Sequence, residues 1–247
     1  MTVAAEKDIL GLIKIGRVVG LVLHAMQEQV RPGMTTQELD AVGDRVMKQH
    51  GARSAPVITY KFPGTTCISI NDEAAHGIPG DRVIQEGDLV KIDVSAELDG
   101  YFADSNLTVG IGKLNARQQQ LIACTHSAMD KAIAAARAGR PLNDIGRMAE
   151  VTVRHCGFNM IRDLPGHGVG RSLHEAPSVP NVYIRQANQK LHAGMVITIE
   201  PHVAMGKGII FTDKDGWTLK TRDGSLVASF EHTVIITDEK PVLLTAV

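Results

Sequence analysis

Four carboxylates and one imidazole in this chain have the residue types and settings to hold metal: Asp93, Asp104, His167, Glu200 and Glu231. They lie in KIDVSAELDGYFADS, PGHGVGRSLHEAP, VITIEP and SFEHT, segments that are strand-like or rich in glycine. Oxygen donors with a single nitrogen suit a pair of hard-to-borderline divalent cations. Structural zinc would instead favour Cys and His in a closed tetrahedron. Brought together, the carboxylates cannot all ionise without cations, because like charges raise one another's pKa. Two divalent ions would balance the four negative charges, with His167 as fifth ligand. The chemistry to expect is hydrolysis, with water acidified to hydroxide near neutral pH and a scissile carbonyl polarised.

Local elements must bring these groups to one place. Residues 88–98 and 101–109 are β-branched and partly alternating, and Asp99-Gly100 lies between them. Asp-Gly between two such runs predicts a two-residue hairpin turn, whose central residues both need positive φ. If Leu98 pairs with Tyr101, Asp104 faces Ser95, two residues from Asp93 and on the same face of the strand. Asp93 and Asp104 then become diagonal neighbours, roughly 7–8 Å apart between backbones. Taken alone, the pair reads better as two solvated acids on the outside of a hairpin.

An internal repeat changes that weighting. RPGMTTQELDAVGDRVMKQHG (31–51) resembles RAGRPLNDIGRMAEVTVRHCG (137–157), matching Gly33 to Gly139, Glu38 to Asp144, Leu39 to Ile145 and Gly51 to Gly157. Further on, GDLVKID (87–93) matches GMVITIE (194–200), which places Asp93 on Glu200. Each half carries a second acid on a later strand, Asp104 or Glu231. A repeat of this length suggests duplicated units about a pseudo-two-fold axis, near which equivalent acids would meet. Chance similarity between two amphipathic helix–strand units is the competing explanation.

The combined motifs, Asp-x10-Asp, His in GHGVG, Glu in TIEP and Glu in FEHT, resemble those of type I methionine aminopeptidases, as do NDEAAHGIPG (71–80) and DGWTLKTRDGSLVASFEHT (215–233). The similarity runs from about the first helix nearly to the C-terminus. It implies the α+β pita-bread (creatinase/aminopeptidase) fold: a pseudo-two-fold, curved, mainly antiparallel sheet with helices outside and the metal site in a central cleft. By this resemblance Asp93, Asp104, His167, Glu200 and Glu231 are the ligands of two ions (Co, Mn, Fe or Zn), with Asp93 and Glu231 bridging. His76 and His174 match two substrate-contacting histidines. His174 suits stabilisation of an oxyanion, and His76 suits a contact to the peptide nitrogen. Glu200 would also move the proton of the attacking water, being within transfer reach of it. Tyr60, Phe62, Cys67 and Trp217, with Leu173 nearby, would line an apolar pocket for the methionine side chain. Tyr60 fits plain core packing equally well.

Five positions depart from the family pattern. Ala75 stands where a Cys is common. Leu164-Pro165 replace an aromatic or Thr followed by Cys or Gly, Leu173 replaces a Phe, and Ser229 replaces a Gln. None is a ligand, and their effect falls on pocket shape. The other seven histidines (24, 50, 126, 155, 192, 202 and 232) read as ordinary surface or satisfied core residues, since nothing pairs them at ligand spacing.

Hydrophobic residues make up 44% of the 247, and the net charge is −1. Those values exclude a disordered chain and a nucleic-acid binder driven by bulk charge. Three cysteines, Cys67, Cys124 and Cys156, read as isolated and fit a reducing compartment. The N-terminal stretch carries charges within an amphipathic pattern, unlike a signal peptide or a membrane span. Helices are predicted at about 6–29, 36–50, 115–138 and 143–156, the second opened by a Thr35/Glu38 capping box and the second and fourth stopped at Gly51 and Gly157. Strands are predicted at roughly 67–71, 88–98, 101–109, 195–203, 207–212 and 229–237.

The expectation is one catalytic domain, 1–247, that removes initiator methionine from nascent polypeptides, preferring a small second residue and a deformylated N-terminus. It would be a cytoplasmic monomer in transient contact with the ribosome, with no membrane or specific nucleic-acid partner. An X-Pro aminopeptidase or dipeptidase of the same fold is the alternative, although such relatives usually carry an extra N-terminal domain. A non-catalytic binding module of this fold is a third reading, disfavoured because all five ligand positions are filled.

Overall fold

The computed structural model describes residues 1–247. Helix α1 (Glu6–Gln29) buries Leu12, Ile15, Val19, Val22 and Met26, one face of a helix at the 3,4 spacing. By length and apolarity α1 could cross a membrane, but this stripe is packed into the protein core. Helix α2 (Thr36–Gln49) opens on the expected capping box: the Glu38 amide donates to Thr35 Oγ1 (3.1 Å) and the Thr35 amide to Glu38 Oε2 (2.8 Å). After it come β1 (Arg53–Ser54), the short helix α3 (Ala55–Tyr60), β2 (Cys67–Ile70) and β3 (Glu73–Ala75). The first half closes with the long hairpin β4 (Leu89–Leu98) and β5 (Tyr101–Gly110). Asp99 and Gly100 both have positive φ, 55° and 79°, and Leu98 pairs with Tyr101 and Ser95 with Asp104. Turn chemistry has set the register as expected.

The second half begins with α4 (Ala116–Ala135) and α5 (Asn143–His155). Short strands follow: β6 (Asn159–Met160), β7 (Gly166–Gly168), β8 (Glu175–Val179), β9 (Val196–Ile199), β10 (His202–Ala204), β11 (Ile210–Thr212), β12 (Leu219–Thr221), β13 (Val227–Ser229), β14 (His232–Ile235) and β15 (Val242–Leu243). In the first half β4 is flanked by β2 and β5, and in the second β9 is flanked by β7 and β14, antiparallel throughout. The repeat read from sequence reappears in the backbone. Gly33 and Gly139 have φ of 85° and 80°, Gly51 and Gly157 70° and 74°, and Gly87 and Gly194 86° and 83°. Equivalent glycines make equivalent left-handed turns, which a side chain would strain.

Alternation along β4 separates two environments. Val90, Ile92, Val94 and Ala96 join the apolar cluster beneath α1 and α2. Asp93 and Ser95 line a cleft on the opposite face. A second apolar cluster, built around Leu121, Leu142, Ile145, Ile197 and Ile199, lies under α4 and α5. The two half-sheets meet where β5 runs beside β13 and β14. There Thr108 Oγ1 donates to the Ser229 carbonyl (2.8 Å), the Glu231 amide to the Asn106 carbonyl (2.9 Å), and the Asp104 amide to Thr233 Oγ1 (3.0 Å).

Two expectations are corrected. The continuous strands 195–203 and 229–237 are each broken, into β9 and β10 and into β13 and β14. His232 pairs with Ile199, and His202 with Ser229, in one unshifted register across both breaks. The interruption falls at Glu200-Pro201 and Phe230-Glu231, where proline supplies no amide to a ladder and two acids turn to the cleft. The cysteines are not all isolated either. Cys124 on α4 and Cys156 just beyond α5 form a disulfide, with Cα atoms 6.4 Å apart, because the two helices pack together. Cys67 alone is free, and it is buried. With two of its three cysteines paired, the chain's cysteine usage does not point to a reducing compartment.

Candidate metal centre

The hairpin register puts Asp93 and Asp104 on the cleft face as diagonal neighbours, and Ser95 Oγ donates to Asp104 Oδ1 at 2.9 Å. Asn106, the cross-strand partner of Asp93, donates through Nδ2 to Glu231 Oε2 at 2.8 Å. Glu200 and Glu231 occupy the break between paired strands, and Thr198 Oγ1 donates to Glu200 Oε1 at 2.8 Å. His167, on β7, is fixed from two sides. Its amide donates to Thr198 Oγ1 (3.0 Å) and its Nδ1 contacts the Gly168 carbonyl at 2.9 Å. A carbonyl only accepts, so Nδ1 carries the proton and Nε2 presents a lone pair. That Nε2 lies 3.5 Å from Glu200 Oε1 and 3.8 Å from Asp104 Oδ2.

Burial and crowding decide the electrostatics. Desolvation raises Asp93, Glu200 and Glu231 well above the usual carboxylate range, and repulsion from Asp104 adds to it in each. Asp104 is pushed up to about 6 by burial, partly offset by its bonds to Ser95 and Asp93. His167 is pushed down to about 4, by desolvation first and then by His174, so it is neutral at pH 7. Neutral imidazole and crowded carboxylates are what a cation would find favourable and protons alone satisfy poorly. Donor atoms of Asp104, His167 and Glu231 lie within 4.8 Å of one another. The buried Glu231 Oε1 has no hydrogen-bond partner, and a cation would supply the missing one. The donor set fits a divalent metal.

Above the acids is a cleft of about 520 Å³. Phe62, Cys67, Trp217, Leu173 and Ala75 all line it, with the Phe62 and Trp217 rings edge to face at 5.2 Å. Burial raises the Cys67 thiol, with Asp93 next among the causes, so it is a protonated apolar wall rather than a thiolate. His76 and His174 also open onto the cleft, and desolvation by its walls lowers the pKa of both. His76 sits in left-handed backbone, φ 56°. The next residue, Gly77, is pressed on β2: its carbonyl accepts from Ile68 N (2.9 Å) and its amide donates to Ser69 Oγ (3.0 Å). A Cβ at Gly77 would collide with the Ile68 carbonyl. The His174 ring is 4.2 Å from that of His167.

Acid-rich, imidazole-capped sites of this kind, set between two matched half-sheets, define metal-dependent hydrolases. Residues 11–238 match metallopeptidase family M24. Over 99% of both chains the protein is 44% identical to methionine aminopeptidase 2 of Bacillus subtilis. It is 41% identical to the methionine aminopeptidase of Staphylococcus epidermidis, over 100% of this chain and 99% of that one. The crystal structure of methionine aminopeptidase from Thermotoga maritima superposes with a TM-score of 0.95 at 35% identity, covering 100% of each chain. A prolidase from Pyrococcus furiosus shares the pita-bread fold, with a TM-score of 0.77 at 24% identity over 66% of its length. The chain belongs to metallopeptidase family M24 and, within it, to the methionine aminopeptidases.

The five expected metal ligands, His76, His174 and the expected pocket residues Tyr60, Phe62, Cys67, Trp217 and Leu173 all line this one cleft. Tyr60, His202 and Asn106 add to the picture drawn from sequence. Tyr60 is 45% exposed at the cleft, which rules out the core-packing alternative. His202, read as an ordinary histidine, is buried in the cleft wall, held by the Glu200 carbonyl (2.9 Å) and pushed down to about 4 by burial. Asn106 on β5 reaches across to Glu231 of the other half, and only its place opposite Asp93 in the predicted register could have marked it. Of the departures, Ala75, Leu164, Pro165 and Leu173 face the cleft, whereas Ser229 is buried outside it.

Proposed function

We propose that residues 1–247 form a single catalytic domain that removes initiator methionine from nascent polypeptides. In this reading Asp93, Asp104, His167, Glu200 and Glu231 hold two divalent ions drawn from Co, Mn, Fe and Zn. The observation that carries it is the convergence of these five side chains at the floor of a cleft whose wall is apolar. Near-full-length similarity to enzymes named methionine aminopeptidase supports the substrate. The setting we infer is cytoplasmic, with the enzyme monomeric and in transient contact with the ribosome.

When bound, the ions polarise the scissile carbonyl and acidify a water. The chain's own residues supply the rest. The methionine side chain lies against Phe62, Cys67 and Trp217, where a thioether gains modest sulfur–aromatic attraction. Glu200 takes the proton of the attacking water and returns it to the leaving nitrogen. His174 donates to the carbonyl oxygen as negative charge develops there, and His76 holds the peptide nitrogen. The second residue of the substrate passes the His76 side of the cleft. A bulky one displaces the carbonyl, and a shift of about 1 Å can cost about 10²-fold in rate.

A peptide panel with the metal-reconstituted enzyme tests this. Met-Gly, Met-Ala and Met-Ser peptides should be cleaved well, and Met-Lys, Met-Phe and formyl-Met peptides poorly. Chelation should abolish the activity, and Mn²⁺, Fe²⁺ or Co²⁺ should restore it. Full activity in metal-free protein, or faster cleavage of X-Pro than of Met-Ala peptides, would overturn the reading.

A further inference from the structure

The His174 imidazole has a polar partner on a different element. Tyr60, the last residue of α3, places its Oη 2.7 Å from His174 Nδ1, with ring centroids 5.5 Å apart and planes inclined at 50°. Lys61 follows in left-handed backbone, φ 60°, and its amide returns to the Val57 carbonyl at 3.0 Å. The end of α3 is thereby capped, and the Tyr60 backbone is held. No other hydrogen bond of the phenol is present, and its ring stands 45% exposed rather than packed as core. The loop that carries His174 is closed by Glu175, whose Oε1 accepts from the amides of Arg171 (2.6 Å) and Ser172 (2.8 Å).

We propose that Tyr60 is a positioning residue for His174, its phenol holding Nδ1 so that Nε2 is left as the N–H that meets the substrate. This rests on the role given to His174 above and adds how that role is secured. An imidazole ring bonded at neither nitrogen rotates about χ2 and exchanges tautomers. A phenol O–H is the weaker base of the pair and donates to Nδ1, and a neutral ring accepting there must carry its proton on Nε2. That is the form able to donate to an oxygen gaining charge. Preorganising a donor stabilises the transition state more than the ground state, so the effect belongs in kcat rather than KM. A tyrosine acting only as cleft wall would move KM instead.

Two measurements on Tyr60→Phe decide it. The first is nitrogen NMR of the histidine rings in metal-free protein at fixed pH, which does not depend on activity. His174 should be a single Nε2–H tautomer in the wild type and a mixture in Tyr60→Phe. An unchanged tautomer overturns the proposal. The second is kinetics on a Met-Ala peptide. Tyr60→Phe should lower kcat about five- to tenfold with KM and metal content unchanged, the size of one hydrogen bond. In a His174→Ala background the same substitution should have no further effect on kcat. A change confined to KM, or an equal kcat loss with and without His174, overturns it. A wild-type enzyme unable to cleave Met peptides would instead refute the proposed function, leaving the NMR result to stand by itself.

Discussion

At the scale of single residues the histidines divide by what their nitrogens face. His167 turns Nε2 to Asp104 and Glu200, with Nδ1 tied to the Gly168 carbonyl. His174 bonds to Tyr60 and has no carboxylate within ion-pair distance. His167→Ala should therefore lower metal content and activity together. His174→Ala should keep its metal and lose turnover by about 10²–10³-fold, the cost of removing one oxyanion donor. Metal analysis beside kcat separates them, and equal metal loss in both would contradict the assignment. Asp93 and Asp104 could be read from sequence because strand periodicity and an Asp-Gly turn are local, and together they fix which acids share a face. The place of His202 at the cleft could not, since it depends on how β10 packs against the rest of the site.

Elements show the same division between local and distant causes. The four long helices appear within about three residues of their predicted ends because caps, glycine stops and apolar periodicity are written in adjacent residues. Strands such as β3 and β7, three residues each, are too short for alternation to register. Pro201 marks the first of the two strand breaks in the sequence, whereas nothing comparable marks the break at Phe230-Glu231, which lies opposite it in the same register. The turn that follows β3, at His76-Gly77, offers a test. Gly77 lies flush on β2, and a methyl there has to push against the Ile68 carbonyl, which is main chain and cannot swing aside. Gly77→Ala should displace His76 while leaving the five acidic and imidazole donors in place. The expected result is metal content near wild type with kcat/KM down by about 10²-fold, as for a displacement of about 1 Å. Loss of metal in step with activity would show instead that the whole sheet had moved.

Across the whole molecule the site joins two half-domains through a cluster of like charges, so occupancy, protonation and stability are coupled. In the metal-free protein Asp104 keeps its proton up to about pH 6, and burial holds Asp93, Glu200 and Glu231 well above the usual carboxylate range. Relative to an unfolded carboxylate near 3.8, the raised Asp104 stabilises the fold at low pH, and that contribution is lost as pH rises through about 6. His167 acts oppositely. With its folded value near 4 against 6.5 unfolded, its share of stability grows as pH climbs between them. The two slopes oppose each other over about pH 4–6, so the pH profile of the metal-free protein alone discriminates poorly. The difference made by metal does not share this ambiguity. A divalent ion must displace the carboxylate protons, whereas His167 is already neutral above about pH 4 and has none to give. Each proton released makes affinity fall about tenfold for every pH unit lost. The rise in Tm on adding Mn²⁺ should therefore grow steadily from pH 5 to pH 7.5, and calorimetry in two buffers of different ionisation enthalpy should count more than one proton released at pH 6. A metal-induced shift that is flat over that range, or binding without proton release, would mean the carboxylates are not the groups that hold the ion.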